Sequence, residues 1–390
     1  MKRIQSILFV VFCGLVVRGN TQSSTDTIWS YQILTKIQAL QQTNIGFPPG
    51  IFPSTRVYAY NKNNSKNDPN VFFTGLIVHT LKKYQKQCTP YQQGLIQQIV
   101  KDGLSSVGLF KNKSGRDTYN FWRTDMPQIF PNAGLLNKFD KSQSLPDDFD
   151  DTVILLWAQE VSRDRAAVVH DTMQLYANTK VKTIKNTLAP FKNLPAYSTW
   201  FGKKMPIDFD MAVLCNVLSF VNAYDLQWTA SDSASLQLIT TAINNNWHVT
   251  KADFIAPHYA KPAVIMYHIA RLLTAGNQQN IETLIALKPT LLKQTDSLLT
   301  ISKDPLEAIL LNTARVHFGG IPNDAYQTLD QVAIEQSKYP FFIANMASML
   351  PSPIKRPLSK LAFAKFEYRC PAYNLALLWE NRYLCVPLHK

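Results

Sequence analysis

Glycine is scarce in this chain, 14 in 390 residues. That argues against a sandwich or barrel, whose many tight turns draw on glycine. Cysteine is scarcer still, five in all. With no C-x-x-C pair and no histidines at ligand spacing, a zinc site is not expected. No Pro/Gly/Ser-rich linker or abrupt change of composition divides the chain. No G-x-S-x-G elbow appears, and Gly115 and Gly319-Gly320 form no phosphate loop. Beyond the first two dozen residues, no apolar run approaches the length needed to cross a bilayer. The formal charge is +13, but Lys and Arg are dispersed, with no basic stripe or recognition motif, so no nucleic-acid partner is expected. Diffuse basicity of this kind suits a solvated surface or peripheral contact with an anionic membrane surface, glycan or diphosphate.

What is present begins with the N-terminus. Lys2 and Arg3 precede an apolar run from Ile7 to Val17, and small polar residues follow. This is the layout of a secretory signal peptide, expected over residues 1–22. Residues 23–390 would then form one exported domain, periplasmic or secreted; an uncleaved N-terminal anchor is the alternative. In an oxidising compartment Cys370 and Cys385, flanking a short helical hairpin, could pair, whereas Cys215 sits in an apolar stretch and reads as a buried thiol.

Most of the remaining chain has apolar residues at helical spacing. About a dozen helices are expected, among them Phe72–Gln85, Gln92–Val107, two within Thr152–Tyr176, Asp208–Tyr224, Pro262–Ala275, Pro305–Val316, Phe341–Leu350 and Ala372–Glu380, with no credible strands. An uninterrupted series of antiparallel helices gives an all-α fold, a single α/α toroid resembling an α6/α6 barrel; an α-solenoid that fails to close would give the same pattern. Two loops, Asn44–Asn70 and Lys111–Asp147, exceed what a connector needs and are candidates to form a site.

The most distinctive segment is Leu145-Pro146-Asp147-Asp148-Phe149-Asp150-Asp151-Thr152, followed by the apolar run Val153–Ala158. Four carboxylates in five residues repel one another and require a counter-field, a metal or a shared proton. Pro146 and one capping aspartate suit the first turn of a helix; four exceed that need.

Asp148-Phe149-Asp150-Asp151-Thr152 reads as D-x-D-D-T opening an apolar helix, and in this it resembles the acid motif of class II terpenoid cyclases. The resemblance implies a toroid fold and an isomerase or cyclase whose middle aspartate, Asp150, protonates an alkene or epoxide, with Asp148 and Asp151 tuning and orienting it. No resident cofactor is implied, and the substrate would be an apolar small molecule. The same letters contain Asp147-Asp148-x-x-Asp151, similar to the spacing by which class I terpene synthases hold magnesium, which would instead make these three a divalent-metal site. The resemblance extends to Gly50-Ile51-Phe52-Pro53-Ser54 before Asp68, and to Trp200 with the stretch Asp208–Leu218. The chain has length for one helical domain where class II cyclases carry two, and it lacks their Q-x-x-x-G-x-W repeats.

Other residues extend the candidate site. Tyr119, Phe121, Trp122 and Phe130 would line an apolar cavity beside Asp150 or pin their loop to the core. Arg116 and Arg123 would neutralise the aspartates or lie on the surface. Asp208, Asp210 and Asn216 lie near a helix start, as caps or as ligand-binding groups. His258-Tyr259 and Tyr267-His268, with Arg271, supply the residue types of exported α/α-toroid polysaccharide lyases. That keeps open a carbohydrate-active enzyme, lyase or glycosidase, acting on a glycan. A third reading is a non-catalytic binding module on the same fold.

Overall fold

The computed structural model describes residues 24–42, 46–126, 146–180, 182–201, 207–322 and 330–385. The expected signal peptide and Phe130 lie outside them. The chain is mostly helical, at 59% helix, with a small four-stranded sheet.

Two kinds of helix are distinguished by burial. The first is apolar on nearly every side. It comprises α2 (Phe72–Gln85), α4 (Phe149–Ala158), α6 (Met211–Ala223), α10 (Pro262–Leu272), α13 (Pro305–His317) and α16 (Pro371–Cys385). In α6 every residue from Met211 to Asn222 is buried, as expected of a helix surrounded by others. The second kind buries a single stripe. In α3 (Pro90–Ser105) that stripe is Gln92, Ile96, Ile99 and Gly103, and in α12 (Lys288–Ile301) it is Leu291 and Thr295. The heavily buried helices are neighbours in chain order. Helix α2 packs on α4, α4 on α6, α6 on α10, α10 on α13, α13 on α16, and α16 returns to α2. The one-sided helices lie outside them: α1 (Ser24–Gln42) on α16 and α3, α3 on α2, α7 (Ala230–Asn244) on α6, and α12 on α13.

Several contacts show that these inner helices run the same way. Phe73 meets Tyr373 near the starts of α2 and α16, with ring centroids 5.8 Å apart, and Lys83 meets Glu380 towards their ends. Between α4 and α6, Asp150 meets Asn216 in the first half, and Leu156 accepts a hydrogen bond from Tyr224 at the far end. Beyond the end of α10, the N–H of Asn277 donates to the carbonyl of Asn222 in the last turn of α6. Helices α2 and α4 approach closely at Gly75, where a Cβ would stand 2.8 Å from the Ile154 side chain. Lys82 near the end of α2 donates to the Ala158 carbonyl at the end of α4, so the N-termini of α2, α4, α6, α10 and α16 gather at one end and their C-termini at the other.

The sheet corrects the expectation of no strands. Its order is β2-β1-β4-β3, antiparallel throughout, from β1 (Thr55–Tyr58), β2 (Asn61–Asn67), β3 (Phe342–Asn345) and β4 (Lys365–Arg369). The helix expected over Phe341–Leu350 is instead β3 followed by a 3₁₀ turn at Met346–Met349. Phe341-Phe342-Ile343 is too short an apolar run to separate helix from strand by period. Pairing of Phe342 with Tyr368 and of Ala344 with Phe366 decides it. Asn345 ends the strand by accepting the Ala347 N–H.

A Cys370–Cys385 pair is also corrected. The two thiols sit before and at the end of α16, buried and free. Fifteen residues at about 1.5 Å each set them roughly 22 Å apart, well beyond disulfide reach.

Candidate functional site: buried carboxylates at the helix N-termini

Three extended stretches meet where α4 begins. Asp148 bridges Tyr119 on one side and Trp200 on the other, and the Phe149 N–H donates to the Thr199 carbonyl. This backbone frame carries the acidic run into the interior, where Asp147, Asp148, Asp150 and Asp151 are all buried.

Each aspartate has a different task. Asp147 accepts from Asn112, Thr118 and Arg116, the last at 3.0 Å. Asp148 is the N-cap of α4, its Oδ1 accepting the Asp151 N–H at 2.6 Å, which satisfies one of the free donors of the first turn. Asp150 turns to the inner helices. Its Oδ1 accepts from Asn216 Nδ2 at 2.7 Å, and its Oδ2 accepts from the Tyr259 hydroxyl. Asp151 lies behind, with Oδ1 unpartnered among the described residues. No group of three or more side chains able to hold a metal occurs among the described residues. Asp147 is occupied by Arg116 and its neighbours, while Asp148 and Asp151 bond one another.

Crowding and burial keep protons here. Burial pushes Asp148 up to about 7, helped by the charges of Asp150 and Asp147 and opposed by hydrogen bonds from Asp151. Burial and the Asp148 charge hold Asp151 well above the carboxylate range. Burial and mutual repulsion thus favour a proton held within the pair. Burial also raises Asp150, against the bonds from Tyr259 and Asn216 and the charges of Arg271 and His258. Tyr259, raised far above the usual phenol range by burial and by Asp150, remains a neutral donor.

Asp208 and Asp210 stand at the next inner helix. Asp210 caps α6, accepting from the Ala212 and Val213 N–H groups through Oδ1 and from the His258 N–H through Oδ2 at 2.8 Å. Burial raises it to about 6, against the charge of His258. Asp208 and His258 form a buried ion pair at 3.5 Å. Burial opposes both charges, but the pairing holds Asp208 low and His258 high. Lys355, buried nearby and donating to the Asn186 carbonyl at 3.1 Å, adds a second cation.

The aromatic candidates divide. Phe121 belongs to a cluster with Phe72, Phe342 and Tyr368, and Phe72 and Phe342 both reach Tyr259, at 6.3 and 5.6 Å between centroids. Trp122 turns away, its indole N–H donating to Asp68, which Arg56 neutralises. The Tyr119 hydroxyl bonds Gln159 and Arg165 rather than the carboxylates. Arg116 reaches Asp147, whereas Arg123 pairs locally with Asp125. Lys355, Phe341 and Phe342 were not expected. Phe341 and Phe342 were hidden by the mistaken helix, and Lys355 lies in an ordinary polar run. No family model, curated protein or solved structure matches this chain.

Proposed function

We propose that the chain is a single α/α toroid, with α2, α4, α6, α10, α13 and α16 as its inner wall. We propose further that it is a terpenoid-cyclase-like isomerase, exported, acting on an apolar small molecule. The observation that carries this reading is the placement of Asp150. It is buried, bonded by Asn216 and Tyr259 from neighbouring elements, and beside the aromatic cluster of Phe72, Phe121 and Phe342. Aromatic faces stabilise a cation in a dry site, and exclusion of water strengthens a buried acid's encounter with a weak base such as an alkene.

In this mechanism the Asp150 carboxyl gives its proton to an alkene or epoxide. The C=C π pair forms the new C–H bond, or an epoxide oxygen lone pair takes the proton while the C–O bond breaks with its pair going to oxygen. The carbocation rearranges, and loss of a proton from an adjacent carbon restores neutrality, so the product is an isomer of the substrate. The proton shared by Asp148 and Asp151 is the reserve for Asp150.

The test is incubation of the full chain in D2O with linear polyprenes and their terminal epoxides, read by mass spectrometry. The expected product is isomeric, carries one carbon-bound deuterium when it forms by alkene protonation and none when it forms from an epoxide, and Asp150→Asn abolishes it. Unchanged substrates across the panel, with the fold intact, would overturn the assignment. His258 and Tyr259 beside three carboxylates favour a second reading, a glycan-processing enzyme. Release of unsaturated uronate from an acidic polysaccharide, lost in Tyr259→Phe, would replace the first reading with that one.

A further inference from the structure

The opposite end of the inner helices holds a cavity of about 210 Å³, lined by His79, Lys82, Lys83, Trp157, Glu160 and Arg271, with Thr274–Gly276 completing the wall. We propose that it binds the oxyanion group, phosphate or carboxylate, of a small organic ligand, with Arg271 as the anchor.

Two of the three cations at this end already have partners. Lys82 donates to the Ala158 carbonyl and pairs with Glu160 at 2.8 Å, and Lys83 pairs with the buried Glu380 at 3.4 Å. The C-terminal ends of α2, α4 and α10 carry partial negative charge, which also accounts for lysines in this position. Neither fact accounts for Arg271. Its residue is only 5% exposed, and both terminal nitrogens, Nη1 and Nη2, are buried without a hydrogen-bond partner among the described residues. Glu380 does not serve it, being engaged by Tyr84, Tyr267 and Lys83. A guanidinium out of water with its fork unmet carries a large desolvation cost, and its planar geometry matches two oxygens of one carboxylate or phosphate.

The surroundings fit an organic ligand better than a bare ion. The Arg271 guanidinium lies 6.0 Å from the Trp157 ring centroid and 5.8 Å from that of Tyr267. His79 lies against Trp157 with centroids 4.0 Å apart. Burial, with the nearby charges of Arg271 and the lysines, holds His79 neutral. Trp157 and His79 thus present an apolar wall beside the charge. Lys82 and Lys83 stand at the same wall, able to turn from their carboxylates to a bound anion.

The test is isothermal titration calorimetry of the full chain at low salt with two probes, inorganic phosphate and benzoate. Saturable binding of either supports the site, and the probe that binds more tightly identifies the oxyanion. Arg271→Gln is expected to weaken that binding by about tenfold or more, the scale of a lost charge-assisted pair. Because Arg271 is buried, Lys82→Ala serves as a second variant at the cavity wall, with an expected loss of a few fold. Binding of neither probe, or binding that both variants leave unchanged, would overturn the proposal.

Discussion

At the start of α4 and α6, Asp148 and Asp210 cap helices with their own carboxylates, and Asp150 and Asp208 are matched by Tyr259, Asn216 and His258. At the far ends of α2 and α10, Lys82 and Lys83 keep partial contact with solvent, while Arg271 is buried with its fork unmet. Both ends carry the sign of charge that complements aligned helix dipoles. They differ in crowding. Four aspartates in five residues cannot all ionise in a buried site, so the first end stores protons. Three cations with two carboxylates between them leave one charge over, so the second end is suited to receive an anion. Arg271 belongs to both, since its charge also lowers the proton affinity of Asp150.

The largest effects should come from the backbone contacts that close each end. Gly50 (φ +78°) would place a Cβ 1.9 Å from the Asp102 carbonyl oxygen, and Gly276 (φ +49°) would place one 2.0 Å from that of Asn222. Alanine at either position is expected to cost on the order of 3–5 kcal/mol in urea unfolding. A neutral Gly276→Ala would mean that the basic end is loosely held and the two ends are unlike in rigidity.

Next comes pH. Asp148 ionises near 7 in the folded chain against 3.8 ordinarily. A raised folded value means that its contribution to stability is full below 3.8 and is lost as pH rises through about 7. Each tenfold change in proton affinity is about 1.4 kcal/mol, so the loss across this window is a few kcal/mol. Asp208 and Glu380, held low, act oppositely and only as pH falls through the acid range. Asn caps a helix as well as Asp does. Asp148→Asn should therefore flatten the slope of Tm between pH 3.8 and about 7 without lowering stability at the acid limit. An unchanged slope would show that Asp148 does not titrate in this window.

Smaller effects sharpen the same contrast. Tyr259→Phe leaves Asp150 Oδ2 without its donor and is expected to cost about 1–3 kcal/mol, the cost of leaving a buried acceptor unpaired. Lys82→Ala breaks a pair whose Glu160 side chain is 69% exposed, and should cost less than about 1 kcal/mol. Equal costs would contradict the difference in burial between the two ends.

Much of the helical frame was readable from period and punctuation. Phe72–Gln85 and the start of α10 at Pro262 fall where spacing and proline place them. The sheet was not, because β2 is fully exposed Asn, Lys and Ser without alternation, and β3 is four residues long. At the site, the acidic run, Asn216 and His258-Tyr259 stood out as polar letters beside apolar stretches. Their division of labour did not. That Asp148 caps while Asp150 faces Tyr259 follows from the frame Tyr119–Asp148–Trp200, which only the fold assembles. The basic cavity was invisible for a similar reason, since Lys82, Trp157 and Arg271 come from three separate helices and share no motif.

A proton held among the buried aspartates at neutral pH is visible to infrared spectroscopy of the carboxylic C=O stretch in H2O and D2O, assigned with Asp151→Asn and Asp148→Asn. A protonated-carboxyl band is expected at pH 7 that shifts in D2O and loses intensity in Asp151→Asn, with the remainder carried by the neighbouring aspartates. A wild-type spectrum with every carboxyl ionised at that pH would contradict it.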